Sequence, residues 1–309
     1  MRARRLSFRS GGWVLLLAAL LTLLAAWPLL RPVLRSRGAR AVGDGTHVES
    51  YGFDLAKLSV PRAGLAASGL PKDGIPTLDR PQTIPGRDVA ERYRGRQKYL
   101  VTDDEVIGMV VNGEARAYPL RVLNWHEVVN DMLGGKPIVV TYSPLSDGTA
   151  VFDRVLSGKT VEFGVSGLLY DSNLVMYDRG GGSLWSQLRA EAIAGPALGT
   201  ALTILPCART RWGAWLAAHP ETSVLRPDPA FEERYRRDPY GNYVVTGKLR
   251  FPVDAMPPPG VPPMTRMMAW RPSAAVPWQV SPLEESSEPR GAETLYAFWF
   301  AWYATHQRP

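Results

Sequence analysis

Cysteine is nearly absent from the chain, which has 309 residues and a single cysteine, Cys207. One thiol cannot form an internal disulfide, and the N-terminal region has no cysteine that could carry a lipid anchor. A metal cluster held by several cysteines is excluded for the same reason. Cys207 follows Pro206 in the sequence, and we expect its side chain to be a small buried hydrophobic group.

Acidic residues are absent from the first 40 positions, which contain eight arginines. The formal net charge of +7 is therefore concentrated at the N-terminus, and the rest of the chain carries 28 basic against 29 acidic residues. Binding to nucleic acid requires clustered positive charge on the domain itself. We therefore exclude nucleic acid as a partner.

A long uncharged run lies near the N-terminus, where the twenty residues from Gly11 to Leu30 contain no charge. A helix of that length spans about 30 Å, the thickness of the hydrocarbon core of a bilayer. The alternative is a cleaved signal peptide, whose apolar core is usually about 7 to 15 residues long and precedes a small-residue cleavage site. No Ala-x-Ala site precedes Arg31. We therefore predict a tail at 1–10 and a transmembrane anchor at 11–34 that contacts the lipid bilayer.

The orientation of this anchor is not decided by charge, because four arginines precede the run and four follow it. The short tail ahead of the first hydrophobic segment favours a cytoplasmic N-terminus. We therefore expect a single-pass membrane protein whose globular domain is extracytoplasmic. A membrane-protein partner is a further interpretation, and it predicts an exposed apolar patch of several hundred Å².

Residues after the anchor divide into a linker and a folded body. Positions 35–72 are rich in Arg, Gly and Pro, which is typical of a linker. The globular domain is predicted at 73–309, with a first repeat and an insert at 73–225 and a shortened second repeat at 240–309. The expected fold class is α+β: a β-rich body with a few short helices and an internal repeat, preceded by one N-terminal transmembrane helix.

Local patterns place several elements in this body. Two extended runs joined by Asn112-Gly113 predict a β-hairpin, because this dipeptide tolerates positive φ. The segment from Leu123 to Leu133 is predicted to be a short helix with Asn124 as its cap. Pro137 to Tyr142 is predicted to be a buried strand, and three short β-rich runs follow it, at 149–154, 160–165 and 174–179.

One helix sequence occurs twice. A helix is predicted from Thr210 to His219, and its part from Trp212 onward matches the segment from Trp299 to His306 at five of eight positions, with the pattern W-x-A-W-x-A-x-H. A weaker similarity sets residues 273–277 beside residues 115–119. The segment from about 122 to 211 then occurs only once, and we expect the functional site in this insert.

The insert resembles, block by block, the prokaryotic family catalogued as domain of unknown function 3179, and the resemblance extends from about Asp73 to Val224. The blocks that carry it are Ala117–Asp131, Thr141–Asp147, Gly164–Arg179 and Ser183–Gln187. The family name leaves the activity of its members open. The resemblance implies a shared domain and a shared site, without naming a reaction.

This chain departs from the family at two positions, because relatives usually carry cysteine where Ser143 stands and often a second one where Ser146 stands. Thiolates beside a histidine imply a copper or zinc site, or redox chemistry, in those relatives. A serine hydroxyl cannot replace a thiolate as a ligand for a soft metal, nor form a disulfide. The departure argues against these cofactors and this chemistry here.

His126 is the central candidate residue, and two interpretations of it stay open. It is either a metal ligand or general base, sharing a helix face with Asn130, or a core histidine that satisfies backbone groups. Ser143 as a nucleophile with His126 as its base lacks the G-x-S-x-G turn of serine hydrolases. The residues expected to line a pocket are Asn124, His126, Glu127, Asn130, Tyr142, Ser143, Ser146, Asp147, Tyr170, Asn173, Met176 and Asp178.

Two functions follow from these observations. The first is an extracytoplasmic ligand-binding or accessory domain with a pocket built around His126, the loop from Ser143 to Asp147 and the strand from Tyr170 to Asp178. The second is a metal-assisted or redox enzyme family of which this chain is a cysteine-lacking, inactive member. Convergence of His126 with the serines and acids of the pocket distinguishes an enzyme or metal site from a binding domain.

Overall fold

The structure is a computed structural model of the chain and describes residues 41–92, 99–285 and 291–306. No helix within these ranges is long and apolar enough to cross a membrane. The predicted tail at 1–10 and the transmembrane anchor at 11–34 lie outside the described residues. From Val42 onward the chain forms one compact unit.

β-Strands dominate the described residues, and the longest helix has eight residues. The strands are β1 (Leu65–Ala67), β2 (Leu78–Asp79), β3 (Thr83–Pro85), β4 (Glu105–Val111), β5 (Glu114–Pro119), β6 (Val128–Leu133), β7 (Lys136–Ser143), β8 (Gly148–Asp153), β9 (Val155–Leu156), β10 (Lys159–Thr160), β11 (Phe163–Tyr170), β12 (Asn173–Asp178), β13 (Leu184–Ser186), β14 (Glu191–Ala194), β15 (Ala208–Arg211), β16 (Ser223–Leu225), β17 (Arg266–Arg271), β18 (Gln279–Pro282) and β19 (Glu293–Phe298). The helices are α1 (Val89–Arg92), α2 (Leu120–Leu123), α3 (Trp212–Ala218), α4 (Glu232–Tyr235), α5 (Gly241–Thr246) and α6 (Trp299–His306). The predicted β-rich α+β body is confirmed.

The first sheet contains the predicted hairpin. Its five strands lie in the order β15-β4-β5-β16-β3. β4 and β5 pair antiparallel, with Val111 opposite Glu114. Asn112 and Gly113 between them have φ of 49° and 84°, the left-handed values that a two-residue hairpin turn requires. The hairpin prediction is confirmed.

A seven-stranded sheet joins the insert to the C-terminal part, in the order β18-β17-β19-β8-β7-β6-β2. β6, β7 and β8 are consecutive antiparallel strands of the insert. β19 pairs with β8 through Tyr296 and Thr149. The C-terminal strands therefore extend a sheet that begins in the insert, and the two parts share a core.

The third sheet has the order β1-β11-β12-β13-β14, and all of its strands except β1 belong to the insert. β11 and β12 are buried along their whole length, so both show unbroken buried runs rather than alternation. β1 pairs with β11 although it comes from the segment predicted as a linker, in which Tyr51 and Val60 are also buried. The folded body thus begins near Val42, ahead of the expected start at Asp73.

The helix predicted from Leu123 to Leu133 is wrong. The helical turn α2 ends at Leu123, and Asn124 follows it as a C-terminal cap whose N–H is bonded to the carbonyl of Leu120. Val128 to Leu133 forms β6, paired along its length with β7. Gly134 and Gly135, with φ of 54° and 75°, form the turn between these two strands rather than a helix end.

The two copies of the tryptophan motif end two units of the same strand order. In the first unit the strands lie in the order β15-β4-β5, and α3 follows β15 along the chain. In the second unit the strands lie in the corresponding order β19-β17-β18, and α6 follows β19. The registers also correspond, since Pro119 is paired with Val106 and Pro282 with Met267. The structural equivalent of Pro119 is therefore Pro282, and the sequence match of 273–277 to 115–119 is wrong because 273–277 lies between β17 and β18.

Candidate functional site

His126 lies in the turn between α2 and β6, with 1% of its surface exposed. Its Nδ1 is 2.7 Å from the carbonyl oxygen of Pro76, which can only accept, so Nδ1 carries the proton. Nε2 therefore accepts a hydrogen bond from the hydroxyl of Tyr235 at 2.7 Å. Burial lowers the pKa of His126, and the imidazole is neutral. The expected helix face shared with Asn130 is wrong, because Asn130 lies on β6.

Both ring nitrogens of His126 are used by protein partners, and the ring of Phe231 packs against the imidazole at 4.7 Å between centroids. A metal ion at Nε2 would have to displace the hydroxyl of Tyr235. In the part of the chain that the structure describes, no group of three or more His, Cys, Asp or Glu side chains is placed to hold a metal ion. His126 therefore links two segments of the chain by hydrogen bonds, the one that contains Pro76 and the one that contains Tyr235.

Tyr235 belongs to a covering segment, residues 227–254, which lies against the insert. Besides the bond to His126, the hydroxyl of Tyr243 donates to the carbonyl of Leu145 at 2.8 Å. The hydroxyl of Ser172 donates to the carbonyl of Phe251 at 3.0 Å. The N–H of Asp254 also donates to the carboxylate of Asp171 at 2.9 Å, so the covering segment is held to the insert along its length.

Glu127 lies on the wall of a cavity of about 160 Å³ between the insert and the covering segment. Its backbone has a φ of 54°, and 8% of the residue is exposed. Among the described residues, no hydrogen-bond or ion-pair partner is present for its carboxyl group. Burial raises the pKa of Glu127 to about 8, so the carboxyl group is mainly protonated at neutral pH.

The cavity is lined by both ionisable and apolar side chains. Tyr240 and Arg250, both from the covering segment, line it together with Glu127. Burial, and then the nearby carboxyl of Glu127, raise the pKa of Tyr240. The apolar walls include Leu70, Ile75, Leu145, Val165, Leu168 and Leu174.

The two serines predicted in the site are buried in a hydrogen-bond network rather than in the cavity. The hydroxyl of Ser143 accepts from the N–H of Leu174 at 3.1 Å. The hydroxyl of Ser146 accepts from the amide of Asn173 at 2.8 Å, and that amide also donates to Gln187 at 2.7 Å. These contacts tie the loop after β7 to β12 and position it.

Asp147 stands at the centre of a buried charge cluster. Its carboxylate accepts from the hydroxyl of Tyr142 at 3.0 Å and forms ion pairs with Arg209 at 2.7 Å and Arg266 at 3.3 Å. Arg209 also pairs with Glu105 at 3.3 Å. Burial lowers the pKa of Arg209, but the carboxylate of Asp147 outweighs it, and the net shift is upward. Asp147 thereby fixes the loop through partners other than those of Ser146.

Other predicted site residues are used structurally. Asp178 accepts hydrogen bonds from the N–H groups of Gly181, Gly182 and Ser183 and from the indole of Trp185. Asn130 exchanges two hydrogen bonds with the backbone of Phe163, at 2.8 and 3.0 Å. The remaining three are placed as follows: Met176 in the apolar core, Tyr170 in the core beside β1, and Asn124 on a surface cleft.

The predicted segments do reach the cavity, through other side chains. The loop from Ser143 to Asp147 contributes Leu145, and the strand after Tyr170 contributes Leu174. Of the predicted residues, Glu127 alone lines the cavity. Tyr235, Tyr240 and Arg250 were missed, because no pattern in the sequence connects the covering segment to residues more than a hundred positions earlier.

A larger open groove, of about 830 Å³, lies along β15 and α3. Cys207, Trp215 and His219 are among its lining residues, and the described residues that line it include no acid, lysine or arginine. The smaller cavity is the better candidate site because its lining includes a buried carboxyl group whose pKa is strongly raised.

Comparison with known proteins gives one match. A family model described as protein of unknown function (DUF3179) matches residues 72–294, well over half of the chain. No curated protein and no solved structure matches the chain.

Proposed function

Since this chain belongs to the DUF3179 family, which is described only as a protein of unknown function, we propose its function from the geometry of the chain itself. The protein is a membrane-anchored, extracytoplasmic domain that binds a small ligand. The ligand lies in the cavity beside Glu127. His126, next in sequence, holds the covering segment that forms the other wall. In this proposal His126 does not contact the ligand; it positions the wall of the cavity through its hydrogen bond with Tyr235.

One observation supports this proposal above the others, which is the carboxyl group of Glu127. Among the described residues, the carboxyl oxygens of Glu127 are not fully buried, so a ligand in the cavity can reach them. A left-handed backbone at a residue other than glycine costs about 1 kcal/mol or more. Backbone strain and strongly shifted pKa values are concentrated at functional sites, and both fall on Glu127, whose side chain lines a cavity.

The size of the cavity indicates the size of the ligand. An engineered protein cavity of about 150 Å³ binds benzene, and this cavity measures about 160 Å³. Anchoring to a membrane is supported by the uncharged run from Gly11 to Leu30. A domain held at a membrane surface with such a pocket would sense or deliver a small molecule there.

Binding can be tested with the body from Val42 to Pro309, which forms a compact unit by itself. Benzyl alcohol, benzoate and benzylamine serve as probes that share a benzene ring and differ in charge. Changes in the NMR chemical shifts of the body report their binding. Leu70 lines the cavity and is 41% exposed, so Leu70→Trp is expected to block the entrance without disturbing the core. At least one probe should bind, and Leu70→Trp should abolish that binding.

The matched control is Val245→Trp, which places the same side chain at a position that is 86% exposed and outside the cavity. It should bind the probe as the unmodified body does. The proposal is overturned if no probe binds, or if Leu70→Trp binds as well as the control.

A further inference from the structure

The cavity beside Glu127 is asymmetric in its chemistry. Leucine, isoleucine and valine are seven of its fourteen described lining residues, whereas the ionisable lining residues are Glu127, Tyr240 and Arg250. A ligand that fits both parts has a compact hydrocarbon group and one polar group. The nature of the polar group depends on the charge and the hydrogen atoms that these three residues offer.

All three residues offer donors at neutral pH. The guanidinium of Arg250 is permanently charged, and the phenol of Tyr240 keeps its proton because burial and Glu127 raise its pKa. The carboxyl group of Glu127 is mainly protonated, since burial raises its pKa to about 8. The polar group of the ligand therefore meets three donors and one positive charge.

We propose that the ligand is a small monocarboxylic acid, whose hydrocarbon part packs on the leucines and whose carboxylate accepts hydrogen bonds from Glu127, Tyr240 and Arg250; this rests on the function proposed above. Charge-assisted bonds to a carboxylate are about twice as strong as bonds between neutral groups. A carboxylate also supplies the partner that Glu127 lacks. Arg250 lines the cavity and is exposed, so its positive charge is accessible to an anion from solvent.

An amine is the opposite possibility for the same cavity, since ionised Glu127 could pair with an ammonium group. That arrangement requires Glu127 to lose its proton in an apolar environment and brings a second cation near Arg250. Both requirements disfavour the amine. Removing the positive charge of Arg250 should weaken the binding of a carboxylic acid but should not weaken the binding of an amine.

The experiment compares dissociation constants of benzoate, benzyl alcohol and benzylamine for the body 42–309 at neutral pH. Benzoate should bind at least about tenfold more tightly than either other probe. Arg250→Gln should weaken benzoate by about tenfold, the loss expected for one charge-assisted hydrogen bond. The same change should strengthen benzylamine or leave it unaltered.

Arg237→Gln is the matched control, because Arg237 is an exposed arginine of the same covering segment and does not line the cavity. Tighter binding of benzylamine or benzyl alcohol than of benzoate, or equal loss of benzoate affinity in both variants, overturns the carboxylic acid and leaves the binding function standing. Failure of all three probes overturns the binding function itself.

Discussion

At the scale of single residues, Glu127 has the clearest physical consequence. Burial raises its pKa from the ordinary value of 4.5 to about 8. The folded protein therefore holds this proton more tightly than the unfolded chain does. The contribution to stability is full below pH 4.5 and is lost as the pH rises through about 8. Between these values the unfolded chain has released its proton and the folded protein has not.

We predict that Glu127→Gln removes this pH dependence. The amide has nearly the same shape and no charge, so the variant and the unmodified body should have similar free energies of unfolding near pH 4.5. The variant should then gain about 1.4 kcal/mol relative to the unmodified body for each pH unit up to about 8. Urea unfolding across this range measures the difference. A difference that does not change with pH would show that the carboxyl of Glu127 titrates normally.

At the scale of elements, the sequence predicts the structure where local chemistry decides it. Asn112-Gly113 allows only a tight turn between two extended runs, and the structure has that hairpin. Val128 to Leu133 is predicted to be helical as part of the segment that begins at Leu123 with Asn124 as its cap. Its strand form is decided by pairing with β7, and partners across a sheet are not visible in a short local pattern.

Helix α3 provides a prediction at this scale, because Trp215 packs directly on Gly108 of β4. A Cβ at position 108 would lie 2.3 Å from the indole ring. The ring is fixed by a hydrogen bond from its Nε1 to Thr222 at 2.9 Å. Gly108→Ala should therefore lower the free energy of unfolding by about 1 to 3 kcal/mol, as overpacked cores do.

The measurement is urea unfolding followed by tryptophan fluorescence. Gly180→Ala is the control, because a Cβ at position 180 meets nothing within 4 Å, and its stability should be nearly unchanged. Equal stability of the two variants would mean that α3 moves away from β4 at little cost.

At the scale of the whole molecule, the candidate site was only half predictable. Glu127 and the loops that contribute Leu145 and Leu174 lie in the segments chosen from the sequence. Tyr240 and Arg250 come from the covering segment, which lies between the insert and the strands β17–β19 along the chain. The covering segment is held against the insert by the hydrogen bonds of Tyr235, Tyr243 and Phe251, and such long-range contacts leave no periodic signal in the sequence.

Membrane attachment is a prediction for the whole chain, and it concerns residues that lie ahead of the folded body. The full chain expressed in a bacterial host should remain in the membrane fraction after alkaline carbonate washing, whereas the body 42–309 should be released. Leu20→Arg combined with Leu21→Arg places two charges in the uncharged run, each costing about 2.5 to 3.5 kcal/mol at a helix centre, and should release the full chain as well.

The orientation of the anchor needs a separate measurement. Protease added to intact spheroplasts should digest the body if it is extracytoplasmic. Protection of the body would reverse the orientation, which the four arginines on each side of the run leave undecided.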